Sequence, residues 1–99
     1  QSLAAYPAVS RDLNFVVDEA VRWAALEAVV RKAAGAKLET LAFQELYRDA
    51  KRLGPGKKSL LLSAHFRDTE GTLTSQTVDE ARDRIVAACR SELGAELRA

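Results

Sequence analysis

Apolar residues recur along this chain with two different periods, and the order in which the periods alternate leaves few folds open. In RDLNFVVD, Leu13, Phe15 and Val17 fall on every second position, the period of a strand that buries one face. From Val21 to Ala34 the spacing changes. Leu26, Val29, Val30 and Ala33 lie on one side of a helix, and Gly35 stands where a helix closes with a left-handed residue. Period two returns from Leu38 to Tyr47 and again in SLLLSAHF, where Leu60, Leu62, Ala64 and Phe66 share one side. Gly54-Pro55-Gly56 breaks the chain between these runs, as a hairpin requires. After the polar turn DTEG, Thr74 can cap a second helix whose stripe is Val78, Ala81, Ile85, Ala88, Cys89 and Leu93. Gly94 ends that helix, and AELRA supplies a short last strand.

The order β-α-β-β-α-β is the split βαβ arrangement. Right-handed crossovers put both helices on one face of a four-stranded antiparallel sheet, so the fold class expected is α+β, a ferredoxin-like βαββαβ sandwich. The other face of the sheet stays open. With Leu13, Leu46 and Leu60 toward the helices, alternation sends Asn14, Phe43, Glu45, Tyr47, Ser59, Leu61, Ser63 and His65 to the open face. Gln44 breaks the pattern, because strict alternation aims it at the core; a bulge or a position near the edge is needed.

Composition narrows the chemistry. The 99 residues make one domain over 1–99. One cysteine forms no internal disulfide, and with a single histidine it builds no four-ligand zinc site, so a reducing, cytoplasmic compartment is the default. No apolar run approaches the roughly 20 residues that span a bilayer, and no membrane partner is expected. Methionine is absent, even at position 1, which suggests a piece cut from a longer chain. His65 has no nucleophile or acid in a catalytic spacing, Cys89 sits at a helical apolar position as a small hydrophobe, and no catalytic constellation emerges.

Charge is concentrated in one place. The chain carries a net charge of only +1, yet residues 48–58 contain Arg48, Lys51, Arg52, Lys57 and Lys58 against the single acid Asp49. GPGKKS resembles a phosphate loop in composition only: a Walker motif needs GxxxxGK followed by Ser or Thr and opens a helix, whereas this stretch leads into a strand. Two readings of the cluster remain. It is a solvated hairpin tip whose lysines deter edge pairing, or, with Tyr47 beside it, it serves a surface on which RNA bases stack while cations neutralise phosphate.

The stretches YPAVSRDLNFVVDE, LETLAFQELYRD, GKKSLLLSAHFRDTEGTLT and ELGAELR, in this order and over nearly the whole length, closely resemble the ferredoxin-fold anticodon-binding domain at the C-terminus of phenylalanine-tRNA ligase beta subunits. The resemblance implies a non-catalytic module that contacts the anticodon stem-loop of phenylalanine tRNA. Its partners would be the remainder of the beta subunit and the alpha subunit of an alpha2-beta2 parent. It implies no cofactor in this domain, with ATP and magnesium used elsewhere in the parent. Carried over residue by residue, the first anticodon base stacks on Tyr47, Glu45 approaches the same base edge, and Ser59 and Asn14 line the patch. Apart from the resemblance, the charge cluster leads one to expect Arg48, Lys51, Arg52, Lys57 and Lys58 to face the phosphates of the anticodon arm, with Arg48, Lys57 and Lys58 counted among the RNA-binding residues. The sequence departs from the family pattern at Glu45, where Asp is usual, at Gln44, where Phe is usual, and at Asp49, where Gly is usual. The turn before Lys57 is about one residue longer. A protein-interaction or regulatory domain of the same fold is the alternative.

Overall fold

A computed structural model describes residues 8–68, 71 and 73–98. Along the chain lie β1 (Val9–Asp18), α1 (Trp23–Ala34), β2 (Leu38–Tyr47), α2 (Ala50–Leu53), β3 (Lys57–Phe66), α3 (Ser75–Leu93) and β4 (Glu96–Leu97). The four strands form one antiparallel sheet in the order β2-β3-β1-β4, as the split βαβ pattern predicts. The middle of the DTEG turn and the start of the YPAVSRD stretch lie outside the described residues.

The core sits between the sheet and the two long helices. Leu13, Phe15 and Val17 of β1 and Leu60, Leu62, Ala64 and Phe66 of β3 are buried against Leu26, Val30 and Ala34 of α1 and Val78, Ala81, Ile85 and Cys89 of α3. Burying one large side chain of this kind contributes about 1.5–3 kcal/mol, which is why period-two and helical stripes decide the fold together. Cys89 is a packed hydrophobe whose thiol is pushed up to about 11, first by burial and then by Glu92.

Helix ends are settled locally. Thr74 Oγ1 accepts from the Thr77 amide at 3.1 Å and starts α3. At its other end Gly94 adopts φ 65°, and the amides of Gly94 and Ala95 return to the carbonyls of Arg90 and Cys89. At the C-terminus of α1, Arg84 reaches over from α3 and donates to the Ala33 and Ala34 carbonyls, both at 3.1 Å, joining two helices with a cation at a negative helix end.

Strand β2 departs from strict alternation, and this corrects one assignment. Phe43 pairs with Leu62 and Glu45 with Leu61, so Gln44 is the extra residue of a bulge and is exposed rather than aimed at the core. The bulge turns Phe43 to the helix side, not the open face expected for it, and its ring meets Trp23 of α1 with centroids 5.4 Å apart. A second irregularity at Glu39, between the Leu38–Phe66 and Thr40–His65 pairs, acts the same way. The net effect leaves Glu45 and Tyr47 facing the open side, level with Leu61 and Ser59.

Candidate nucleic-acid interface

The open face is built from rows of cross-strand partners. Tyr47, Ser59 and Val16 form one row and Glu45, Leu61 and Asn14 the next, because β3 pairs with both β2 and β1 in a fixed register. Ser59 donates from Oγ to Asn14 Oδ1, which locks two neighbouring strands at the centre of this face. Farther along, Ser63 Oγ donates to Asp12 Oδ1 at 2.5 Å and Ser10 Oγ meets His65 Nδ1 at 2.9 Å. These small polar pairs link β1 to β3 along the same face.

At the Tyr47 end the face sinks into a shallow cavity of about 230 Å³, lined by Asn14, Glu45, Tyr47, Arg52, Ser59, Leu61 and Arg98. Four positions singled out in the sequence, Asn14, Glu45, Tyr47 and Ser59, therefore converge on one hollow. The ring of Tyr47 is held at its hydroxyl and covered on one face. Its hydroxyl donates to Asp49 Oδ2 at 2.9 Å, and the guanidinium carbon of Arg98 lies 5.5 Å from the ring centroid. Asp49 in turn accepts at Oδ1 from the Lys51 and Arg52 amides and caps the one-turn helix α2, an element the Gly-Pro-Gly reading of the tip missed. The hydrogen bond to the Asp49 carboxylate raises the pKa of the Tyr47 phenol above its ordinary value, and the Asp49 carboxyl is lowered by the same bond.

The basic tip is arranged differently. Arg48 binds Glu19 with two hydrogen bonds, at 2.6 and 2.8 Å. Lys57 pairs with Asp18 at 2.6 Å, and Lys58 lies 3.6 Å from Glu19 with only 7% of its surface exposed. Lys58 stands opposite Val17, on the parity of Leu60 and Leu62, so it does not present the free phosphate-facing ammonium expected of it. Glu19 is held at about 2, chiefly by Arg48 and further by Lys58, so it stays charged beneath both cations. Arg52 alone of the tip cations reaches the cavity, 3.8 Å from Asp49 and largely exposed.

The family model for the ferredoxin-fold anticodon-binding domain matches residues 4–98. The chain belongs to that family. Phenylalanine–tRNA ligase beta subunits from Rhodopirellula baltica, Bifidobacterium longum and Corynebacterium efficiens are 39%, 42% and 41% identical to it over 97, 97 and 96 residues. The matched region covers 98%, 98% and 97% of this chain but only 14%, 11% and 11% of those relatives. The chain thus corresponds in extent to one domain of much longer proteins.

Within this anticodon-binding domain two site features escaped the sequence. Arg98 lies beyond the last apolar run, and only the pairing of β4 with β1, with the Arg98 amide donating to the Asn14 carbonyl at 2.7 Å, carries it over Tyr47. Glu19, one residue past β1, gave no signal that it would neutralise Arg48 and Lys58; its register opposite the start of β3 decides that. Among the described residues no three His, Cys, Asp or Glu side chains stand together as a metal site, and no helix is long and apolar enough to cross a membrane.

Proposed function

We propose that this chain binds the anticodon loop of phenylalanine tRNA on the open face of its sheet, as the anticodon-binding module of a phenylalanine-tRNA ligase beta subunit. One observation carries the reading: the four residues expected to surround the first anticodon base share a single cavity floored by an immobilised aromatic ring. In it the base stacks on Tyr47. Glu45 accepts from the donor edge of a guanine, which offers N1–H and N2–H to one carboxylate. Ser59 and Asn14, bonded to each other, line the cavity beside the ring. Arg52 and Lys51 approach the sugar-phosphate backbone, while Arg48, Lys57 and Lys58 take the lesser part their ion pairs leave them.

The module positions tRNA and carries out no chemistry itself, and it works in the cytoplasm as the C-terminal part of a longer subunit that assembles with an alpha subunit as alpha2-beta2. ATP and magnesium do not fit the residues described. Gly54-Pro55-Gly56-Lys57 runs into β3 rather than into a helix, and the acids beside it, Asp18 and Glu19, are taken up by ion pairs with Lys57, Arg48 and Lys58. They belong to other domains of the parent. Filter binding of phenylalanine tRNA against a non-cognate tRNA tests the reading. Preferential retention of phenylalanine tRNA is the result expected; equal or absent retention of both favours a protein-binding role.

A further inference from the structure

The cavity has a second wall that the reading above does not use. Arg98 is exposed, follows β4 directly, and is anchored through its backbone to Asn14 while its guanidinium lies over the Tyr47 ring. No carboxylate of the described residues pairs with it, in contrast to Arg48, Arg52, Lys57 and Lys58. A cation that has carboxylates elsewhere on the same surface but rests on an aromatic face is placed by its plane as much as by its charge.

We infer that Arg98 is the second wall of a base slot whose first wall is Tyr47, so that an RNA base is held between the phenol ring and the guanidinium plane. The inference rests on the RNA-binding reading and deepens it. Its geometry is simple. A stacked base is roughly 3.4 Å thick, so a ring and a guanidinium on its two faces stand about 6.8 Å apart. In the free chain the guanidinium carbon is 5.5 Å from the ring centroid, so the guanidinium has to move off the ring to admit a base. Arg98 can supply that movement by side-chain rotation, because its hold on the protein is through the main chain. Tyr47 cannot retreat, since Asp49 holds its hydroxyl. Before RNA arrives the guanidinium covers the ring and keeps it from other partners; afterwards it covers the base.

A double-mutant cycle with a fluorescently labelled anticodon stem-loop of phenylalanine tRNA tests the slot on this chain at low salt. Arg98→Ala should weaken binding by about fivefold or more, the lower end of a stacking contact. In a Tyr47→Ala background the same change should cost less than about twofold, because a slot with one wall gone holds nothing for the other to cover. Arg98→Lys keeps the charge but has no plane, and should bind like Arg98→Ala. Additive effects of the two alanine changes, or restoration of full affinity by lysine, would overturn the slot and leave Arg98 as a phosphate contact. If the unsubstituted chain fails to bind the stem-loop, the RNA-binding reading falls and the slot with it. Loss of binding in Tyr47→Ala without any effect of Arg98→Ala defeats the slot alone.

Discussion

The cavity around Tyr47 and the basic hairpin tip lie next to each other, and sequence alone makes the tip the more conspicuous. Five cations within residues 48–58 suggest a phosphate-binding surface. In three dimensions Asp18 and Glu19, brought opposite the tip at the end of β1, occupy Lys57, Arg48 and Lys58. The cavity, with fewer charges, holds an aromatic ring fixed at its hydroxyl, a carboxylate at Glu45 and an arginine with no carboxylate partner among the described residues. Charge density along a chain is thus a poor guide to available charge. What matters is which acids the register brings across the sheet.

The contrast can be broken most easily at Tyr47. Tyr47→Ala should weaken binding of phenylalanine tRNA by about 5- to 150-fold, the range expected when one base loses its stacking partner. Tyr47→Phe keeps the ring and should cost far less. Next in size is Asp49→Ala, which removes both the cap of α2 and the partner of the Tyr47 hydroxyl. A loss in Tm on the order of 5 °C is expected from the cap, measurable by thermal unfolding. Ultraviolet titration should show the Tyr47 phenol returning toward its ordinary range in this variant, since the carboxylate that raises it is gone.

Smaller effects sharpen the account of the tip. Glu19 has its carboxyl lowered from 4.5 to about 2, so the ionised form is favoured in the folded state. Its contribution to stability is complete above the unfolded value and is lost as pH falls through the folded one. Acid unfolding of the chain should therefore steepen between pH 4.5 and about 2, and Glu19→Gln should flatten that part of the curve. The smallest change belongs to Lys57→Gln combined with Lys58→Gln. Each phosphate contact to a single strand contributes a log–log salt slope of about 0.7, and these two paired lysines should together change the slope by less than about that amount. A drop near 1.4, two full contacts, would show that the ion pairs yield to RNA.

Much of this was open to reading from the residues. Leu13, Phe15 and Val17 against Leu60, Leu62, Ala64 and Phe66 place β1 and β3 face down on the helices, and the same parity puts Asn14, Ser59 and Leu61 on the open side. Tyr47 and Glu45 follow from β2 read backward from its end. Phe43 does not, because a bulge at Gln44 flips every residue before it, and a bulge is visible in sequence only as a polar residue in the wrong place. Lys58 shares the parity of the buried Leu60, so its burial was implicit, but an end-of-strand lysine is read as exposed unless its acid is known. Arg98 depends on a two-residue strand pairing with a segment more than 80 positions away, a long-range contact that no local pattern encodes.

The central claim is that the cavity, and not the basic tip, recognises the anticodon. Competition binding of two anticodon stem-loops that differ only in the first anticodon base tests it directly, with the unsubstituted chain, Tyr47→Ala, and the Lys57→Gln, Lys58→Gln pair. The unsubstituted chain and the lysine variant should prefer the phenylalanine loop to the same degree, and Tyr47→Ala should lose the preference because the base is no longer held against Glu45. Preference retained by Tyr47→Ala but lost in the lysine variant would contradict it and return recognition to the hairpin tip.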